Sequence, residues 1–347
     1  MKIDVTENAV TRTAWLTIDD IKGSYTIPYI QSARDLAVEF SFAVEGVASA
    51  QVILMRGAEK IAERQAAPGF RAEFPALDPG EYQVRIRGLD LNGNEVCQAA
   101  WGRVAVGTVI AALGDSITEG YFGQGYMRES LDLRGDRFPK EAVSRDGRNF
   151  PQYSPTTHHH LPSVNCFESW MTPLNDSLTE IWKQPVFIAN EGWGGITSAG
   201  YLDMIRKDEG WRTRMTRLKP ALWLIHLGVN DERGQVPTDA FAADMEKIVD
   251  LLIEEFGARP EGIFIAKPSY DYFEGASEIL TAYSRAIDGL VAERGLCKGP
   301  DLFALYATER NRWYGQDPVH PNVAGMQRMA KAWHDTLVAA LPDGPKQ

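Results

Sequence analysis

The 347-residue chain carries 36 basic and 47 acidic residues, so its formal net charge is −11, and 44% of its residues are hydrophobic. This composition is ordinary for a globular protein, and a chain of this length can build two domains with sizeable cores. The acidic balance argues against nucleic acids and anionic membranes as partners. No apolar stretch of the sequence approaches the length of a membrane span.

Two features favour a cytoplasmic location. The N-terminal stretch MKIDVTENAVTRTAW lacks the apolar core of a secretory signal. The three cysteines, Cys97, Cys166 and Cys297, are scattered, odd in number and without metal-ligand spacing. Such cysteines are typical of free thiols in a reducing compartment. A secreted chain whose signal had been removed would share these features. The sequence does not determine the oligomeric state.

Residues 1–106 are predicted to form a small all-β accessory domain. Hydrophobic residues alternate with smaller or polar ones over 36–44 and 82–86, which is the period of strands with one buried face. The dipeptide Asn92-Gly93 is typical of a two-residue hairpin turn. The stretch LDPGEYQVRI resembles the immunoglobulin-like or fibronectin-like strand that carries a tyrosine corner, with Tyr82 as the corner residue. An antiparallel sandwich is therefore expected, either as a packing module or as a glycan-binding, protomer-pairing or site-walling domain.

From residue 107 to 347 the pattern changes to strands alternating with helices, which predicts a parallel sheet in a three-layer α/β/α domain. Helical spacing of apolar residues predicts a helix over 239–256 with Thr238 as its cap, and another over 323–337 with Asn322 as its cap. The apolar runs that predict the five strands are 109–113, 186–189, 221–227, 263–266 and 302–306.

The stretch TVIAALGDSITEG, residues 108–120, places Ser116 where a buried strand gives way to a helix. That position lies at the carboxyl edge of the sheet, where open α/β folds bind their ligands. The hydroxyl can act there as a nucleophile near the first N–H groups of the helix. Alternatively, Ser116 merely caps the helix. A nucleophilic serine needs a base and an oxyanion hole, so the remaining segments decide between the two.

Two loops after predicted strands offer oxyanion donors. The glycine-rich segment NEGWGGIT, residues 190–197, can aim a backbone N–H at a substrate, or it forms a plain turn. The segment GVND, residues 228–231, contains Asn230, whose amide is a neutral donor, and Asp231, which can bond its own loop as an Asx-turn.

A candidate base lies in DPVHPN, residues 317–322, just before the last predicted helix. Asp317 can hold the imidazole of His320 in one tautomer, which leaves its other nitrogen to take a proton from a serine. His226 and His334 are poorer candidates. The first lies inside an apolar strand and the second on the terminal helix, where packing or solvent contact explains each of them.

A long segment of residues 121–167 separates Ser116 from the next predicted helix, which begins near Ser169. It far exceeds an ordinary βα loop, and it starts beside Ser116, so we expect it to overhang the active site. It contains several aromatic residues and the run His158-His159-His160. Adjacent histidines in an extended segment point in alternate directions, and no acidic or cysteine cluster accompanies them, so a metal site is not favoured.

Taken together, GDSITEG, NEGWGGIT, GVND and DPVHPN resemble the sequence blocks of the SGNH hydrolase superfamily, also called GDSL lipases and esterases, over residues 108–340. The resemblance implies a flavodoxin-like domain with a five-stranded parallel sheet of order 2-1-3-4-5. It also implies a catalytic triad and an oxyanion hole. The triad would be Ser116, Asp317 and His320, and the oxyanion donors Ser116, Asn230 and Gly195, with Gly194 as a near competitor to Gly195.

The activity implied by this resemblance is ester hydrolysis through an acyl-enzyme, with neither a metal nor an organic cofactor. A β-domain ahead of the catalytic domain occurs in some carbohydrate esterases of the superfamily, so an acetylated sugar or another short-chain ester is the expected substrate. The alternatives are an aryl or alkyl carboxylesterase, a lysophospholipase-like lipase, and a glycan-binding protein on an inactive scaffold. Expected partners are small-molecule or oligosaccharide esters.

Overall fold

The computed structural model describes residues 2–7, 10–15, 29–32, 34–120, 170–314 and 318–345. The chain divides into two compact units, Met1–Val109 with Gln184–Phe187 and Ile110–Lys183 with Ile188–Gln347. The predicted boundary between an accessory domain 1–106 and a catalytic domain 107–347 stays a prediction. The insertion 121–167, with its three histidines, lies outside the described residues, as does Asp317.

The described strands of the first unit are β1 Lys2–Glu7, β2 Val10–Trp15, β3 Tyr29–Ser32, β4 Leu36–Phe42, β5 Ser49–Arg56, β6 Glu59–Ala66, β7 Arg71–Phe74, β8 Gly80–Leu89 and β9 Glu95–Val106. They form two sheets, of order β1-β2-β4-β7 and β3-β9-β8-β5-β6. Neighbouring strands pair antiparallel, apart from β3 and β9, which pair parallel.

Alternate residues of both sheets meet in one hydrophobic core. Leu36 and Val38 of β4 pack in the same cluster as Val84 and Ile86 of β8, so the period-two pattern of the sequence marks the buried faces. The Tyr82 hydroxyl donates to the carbonyl of Asp78 at 2.5 Å, which is the hydrogen bond of a tyrosine corner. The predicted antiparallel β region is therefore present, while its immunoglobulin-like class stays a prediction.

The hairpin at Asn92-Gly93 differs from the two-residue turn predicted. Strand β8 ends at Leu89 and β9 begins at Glu95, so residues 90–94 connect them. The Asp90 carboxylate accepts the N–H groups of Asn92 and Asn94, each at 2.8 Å. This side chain organises a longer loop, because short acidic side chains readily bond backbone N–H groups a few residues ahead.

Five strands follow residue 107: β10 Thr108–Gly114, β11 Val186–Gly192, β12 Leu222–His226, β13 Ile263–Lys267 and β14 Cys297–Asp301. They form a sheet of order β11-β10-β12-β13-β14, with parallel pairing of β10 with β12, β12 with β13 and β13 with β14. Numbered within this sheet, the order is 2-1-3-4-5, which confirms the α/β prediction. Every residue of β10, β11 and β12 is buried, as expected for strands of a parallel sheet whose faces are covered by helices.

Helices alternate with these strands. They are α1 Ser116–Glu119, α2 Met171–Trp182, α3 Ser198–Lys207, α4 Glu209–Leu218, α5 Val229–Arg233, α6 Thr238–Phe256, α7 Ala276–Arg294, α8 Leu302–Tyr306, α9 Arg310–Trp313 and α10 Val323–Ala340, with a 3₁₀ turn at Pro260–Gly262. The predicted cap Asn322 is confirmed, since its side chain accepts the N–H of Gly325 at 2.9 Å. The predicted cap Thr238 is wrong, because α6 begins at that residue and Pro237 occupies the N-cap position.

The fifth strand lies five residues earlier than predicted. Residues 302–306 form helix α8, in which Leu302 and Tyr306 are buried one turn apart, and the preceding CKGPD forms the edge strand β14. The Asp301 carboxylate accepts the N–H of Ala304 at 2.9 Å and starts the helix. The apolar run therefore has helical rather than extended spacing. A polar edge strand shows no hydrophobic pattern from which it could be predicted.

We expect Asp301→Ala to lower the free energy of unfolding by about 1–2 kcal/mol, because it removes the cap of α8. Urea unfolding would measure this loss. Asp335→Ala is the matched control, since that carboxylate makes an exposed ion pair with Lys331 on α10, and surface pairs are worth less than about 1 kcal/mol. Equal losses in the two variants would contradict the helical assignment of residues 302–306.

Candidate active site

Ser116 stands at the tight turn between β10 and α1. The Asp115 carboxylate accepts the N–H of Ile117 at 3.0 Å and occupies the N-cap position, so Ser116 is not the cap. A Cβ at Gly114 would lie 2.2 Å from Thr118 Oγ1 and 2.7 Å from the carbonyl oxygen of His226. Only glycine fits that position, and the tight turn places the serine hydroxyl at the carboxyl edge of the sheet.

His320 lies within hydrogen-bond distance of Ser116. Its Nε2 lies 2.9 Å from Ser116 Oγ, although the two residues are 204 positions apart in the chain. Contacts on both sides fix the loop that carries His320: Tyr272 N donates to the carbonyl of Pro318 at 3.2 Å, and Asn322 N donates to the carbonyl of Trp313 at 2.7 Å.

The end of β11 and the glycine-rich loop after it pack against the end of β10 and against α1. Trp193 N donates to the carbonyl of Gly114 at 2.9 Å, and a Cβ at Gly192 would lie 2.2 Å from Glu119 N. Gly195 adopts a φ of +76° with nothing within 4 Å of an ideal Cβ, and it is exposed, whereas Gly194 is buried. Of the two glycines considered, Gly195 is thus the one whose backbone a substrate can approach.

Asn230 lies in the first turn of α5, directly after β12. Its Nδ2 donates to the carbonyl of Ile196 at 3.0 Å, so a hydrogen bond joins the amide to the residue that follows Gly195. An amide nitrogen carries two N–H bonds, and the second can donate to a substrate. The structure therefore joins Ser116 to His320 and Asn230 to the Gly195 loop.

A comparison with protein-family models matches residues 112–328 to the GDSL-like lipase/acylhydrolase family. The match spans more than half of the chain and contains Ser116, Gly195, Asn230 and His320. The chain belongs to the GDSL-like lipase/acylhydrolase family. It is accordingly an ester hydrolase, and the parallel sheet with its helices is the fold of that family.

Solved structures with a similar fold are 16–17% identical to this GDSL-like chain. A lipase/acylhydrolase from Enterococcus faecalis aligns over 69% of this chain and 99% of its own, with a TM-score of 0.46. The acetylxylan esterase Axe2 from Geobacillus stearothermophilus aligns over 66% and 94%, with a TM-score of 0.46. LAE5, an alpha/beta hydrolase from the metagenome of Lake Arreo, Spain, aligns over 67% and 94%, also with 0.46. No curated protein matches the chain.

Asp231 has a role in this GDSL-like site that the sequence did not predict. Both of its carboxylate oxygens lie 3.0 Å from Ser198 N, and Oδ1 accepts the Ser198 hydroxyl at 2.6 Å. The carboxylate is fully buried, and these hydrogen bonds reach a segment outside its own loop. Ser198 follows the Gly195 loop, and Asp231 follows Asn230. This pair therefore ties the two candidate oxyanion segments together across 33 positions of the chain.

Three further contacts of the described residues support the end of β11. The buried side chains of Glu191 and Arg214 form an ion pair, and the Tyr201 hydroxyl donates to the Glu191 carbonyl at 2.8 Å. The Asn190 Oδ1 accepts the N–H of Gly192 at 2.9 Å. Breaking one partner of a buried pair leaves an uncompensated charge, so these contacts hold the base of the Gly195 loop in place.

Two buried carboxylates, Asp115 and Asp231, belong to the segments of the candidate site. Burial and, to a smaller extent, the charge of Asp231 raise the pKa of Asp115 to about 7, while the hydrogen bond from Ile117 N acts in the opposite direction. Burial also raises the pKa of Asp231, while its hydrogen bonds with Ser198 act in the opposite direction. Both carboxylates therefore hold a proton more readily than an exposed aspartate does.

The other two candidate histidines form hydrogen bonds elsewhere in the fold. His226 Nε2 accepts the N–H of Ser269 at 3.2 Å, and burial lowers its pKa to about 4, so the ring is neutral at pH 7. His334 Nδ1 lies 3.0 Å from Ser177 Oγ and links α10 to α2. Of the described histidines, His320 is the one that contacts Ser116.

Over residues 34–120, 170–314 and 318–345, no group of three His, Cys, Asp or Glu side chains could hold a metal ion. In the same part of the chain, no helix has both the length and the apolar character needed to span a bilayer. The described cysteines, Cys97 and Cys297, are free thiols, and Cys166 lies outside the described residues.

We expect the neutral state of His226 to make stability depend on pH. Because its folded pKa of about 4 lies below the ordinary 6.5, the unfolded chain binds more protons in that window, and stability falls as pH drops from about 6.5 to about 4. His226→Gln should lack this component in urea unfolding measured across the window. His334→Gln is the control for loss of a histidine elsewhere. A wild-type minus His226→Gln difference that is constant with pH would contradict the assignment.

Asp231→Ala should lower kcat by about 10²-fold, since small displacements of positioning groups cost factors of that size. The change leaves Ser198 N without its acceptor and loosens the Gly195 loop. Ser198→Ala removes one of the hydrogen bonds and should cost less. Asp203→Ala, on the exposed side of α3, is the matched control. A folded Asp231→Ala protein with kcat within twofold of wild type would show that the tie does not position the site.

Proposed function

We propose that the chain is a serine esterase that hydrolyses short-chain acyl esters, chiefly acetyl esters of carbohydrates, through an acyl-enzyme. The observation that carries the proposal is the 2.9 Å contact between Ser116 Oγ and His320 Nε2. A hydroxyl within hydrogen-bond reach of an imidazole, at the carboxyl edge of a parallel sheet, is the arrangement that serine activation requires.

The proposed reaction begins when His320 Nε2 takes the Ser116 proton as Oγ attacks the ester carbonyl. The resulting oxyanion is held by the N–H groups of Ser116 and Gly195 and by the Asn230 amide, and each such donor is worth about 3–4 kcal/mol in the transition state. The imidazolium then gives its proton to the leaving alcohol. Water attacks the acyl-enzyme in a second, equivalent cycle that regenerates the hydroxyl.

Asp317 is proposed as the carboxylate that orients His320 through Nδ1. The sequence spacing of Asp-Pro-Val-His-Pro supports this role, as does the direction of Nε2 toward the serine. A carboxylate there would fix the tautomer and stabilise the imidazolium formed in each cycle. Neither step calls for a metal or an organic cofactor.

The choice of substrate rests on charge and on chain organisation. A net charge of −11 disfavours an anionic membrane lipid, so a soluble ester is preferred to a lysophospholipid. An antiparallel β region before the hydrolase fold accompanies some carbohydrate esterases, which favours acetylated sugars over simple aryl or alkyl esters. A glycan-binding protein on an inactive scaffold is disfavoured because Ser116 and His320 are in contact. We also propose a cytoplasmic location for the protein.

Ser116→Ala and His320→Ala should each lower kcat on phenyl acetate by at least about 10⁴-fold, because nucleophile and base act as one unit. Circular dichroism would show that both variants remain folded. Ser277→Ala, an exposed serine on α7, is the matched control and should keep full activity. Substantial turnover by folded Ser116→Ala protein would remove Ser116 from the role of nucleophile.

Acyl chains of about two to four carbons should be hydrolysed best, and kcat/KM should fall steeply by about eight carbons. The segment 121–167 begins one residue after Gly120, which ends α1, and is therefore close to Ser116 in the sequence. A wall formed by this segment beside Ser116 would exclude longer acyl chains. Excluded chains forfeit about 0.8 kcal/mol of burial per methylene. A series of phenyl esters of increasing acyl length measures this. Replacing part of the segment with a short Gly-Ser link should relax the limit, and an unchanged profile in a folded, active variant would contradict it.

A further inference from the structure

The loop after β13 is attached to both sides of the candidate site. Tyr272 N donates to the Pro318 carbonyl at 3.2 Å, two residues before His320. Arg233 lies three residues after Asn230 in α5, so the two share neighbouring positions on that helix. The Arg233 guanidinium carbon lies 4.2 Å from the centroid of the Phe273 ring. Phe273 is thus linked to the loop of the base and to the helix of the oxyanion donor.

Phe273 differs from the aromatic residues next to it. Tyr270 and Tyr272 pack against each other, with ring centroids 4.7 Å apart, whereas the Phe273 side chain is 43% exposed. In the described ranges, the other large hydrophobic side chains that are exposed are aliphatic. A single exposed hydrophobic residue is common on protein surfaces. The distinguishing feature here is that a guanidinium lies against the ring and a buried carboxylate binds the Phe273 backbone.

A buried carboxylate contacts both the Phe273 backbone and the cation beside the ring. Asp271 has a fully buried side chain, and its Oδ1 accepts the Phe273 N–H at 2.7 Å. The same carboxylate lies 4.0 Å from the Arg233 guanidinium, which stacks on the Phe273 ring. An exposed group that is already ordered loses little entropy when a ligand stacks on it. The arrangement suits recognition better than it suits packing.

The chemistry of this pair indicates its ligand. An aromatic face binds flat apolar surfaces, and the edge of a guanidinium donates hydrogen bonds to oxygen atoms. A pyranose ring offers both, with C–H bonds on one face and hydroxyl groups around its rim. The charge of Arg233 is offset by the carboxylates of Asp271 and Glu232, so the pair favours a neutral ring over a carboxylate or a phosphate.

We propose that Phe273 and Arg233 form a subsite that stacks on the sugar ring of the alcohol half of the ester. The inference rests on the proposed esterase function, in which the ester lies between Ser116 and the oxyanion donors and the alcohol half extends beyond them. Phe273 then determines specificity without taking part in the chemistry, and its contribution is to substrate binding rather than to the acyl transfer step.

The test compares kcat and KM for three acetyl esters, peracetylated methyl glucopyranoside, phenyl acetate and ethyl acetate, which differ in the alcohol. Phe273→Ala should lower the ratio of kcat/KM for the sugar ester to that for ethyl acetate by about tenfold, chiefly through a higher KM, as loss of one stacking contact does. Phe273→Trp should restore the ratio. Arg233→Gln should lower it by a smaller factor. Ile181→Ala, a comparably exposed residue on α2, is the control and should leave the ratio unchanged.

Two results would overturn the subsite. One is a Phe273→Ala ratio equal to that of wild type and of Ile181→Ala. The other is a loss on phenyl acetate as large as that on the sugar ester, which would indicate a site for aryl alcohols. Failure of the esterase function itself gives a different result, since wild-type protein would then turn over none of the three esters.

Discussion

The candidate site depends on one contact, the 2.9 Å approach of Ser116 Oγ to His320 Nε2. Residues so far apart in the chain meet because parallel strands end at a common edge, where the loops that follow them gather. The serine is aimed by a turn too tight for any residue but glycine at position 114. The histidine is aimed by a loop that is hydrogen-bonded on both sides of His320. Neither half of the pair relies on its own segment alone.

The candidate oxyanion segments also come from distant parts of the chain. Side-chain hydrogen bonds, rather than a shared helix or strand, hold them together. Asn230 reaches the carbonyl of Ile196, and Asp231 reaches Ser198, so two successive residues of α5 hold the Gly195 loop at two points. A donor contributes to catalysis only if it is already oriented when charge develops. In the proposed mechanism, these two adjacent residues therefore have different roles: Asn230 is the proposed donor to the substrate, and Asp231 holds the loop through Ser198. The buried carboxylate of Asp231 is acceptable because its oxygens are hydrogen-bonded.

Much of this architecture could be predicted from the sequence because burial leaves a pattern. Strands β10, β11 and β12 are buried at every position, so their apolar runs identify them. The edge strand β14 is polar and has no such run, and the apolar residues after it belong to a helix begun by Asp301. Likewise, the Asp231–Ser198 bond joins residues whose types are common in turns. Only the folded topology brings such a pair together, and no local spacing indicates it.

The most direct test of the central claim is covalent trapping of the nucleophile. The protein would be treated with a diethyl aryl phosphate, which leaves a stable diethylphosphoryl group on an activated serine, and the peptides would be analysed by mass spectrometry. We expect one adduct per chain, on Ser116, and much slower labelling in His320→Ala, because the base activates the hydroxyl. An adduct on another residue, or labelling of His320→Ala at the wild-type rate, would contradict the account.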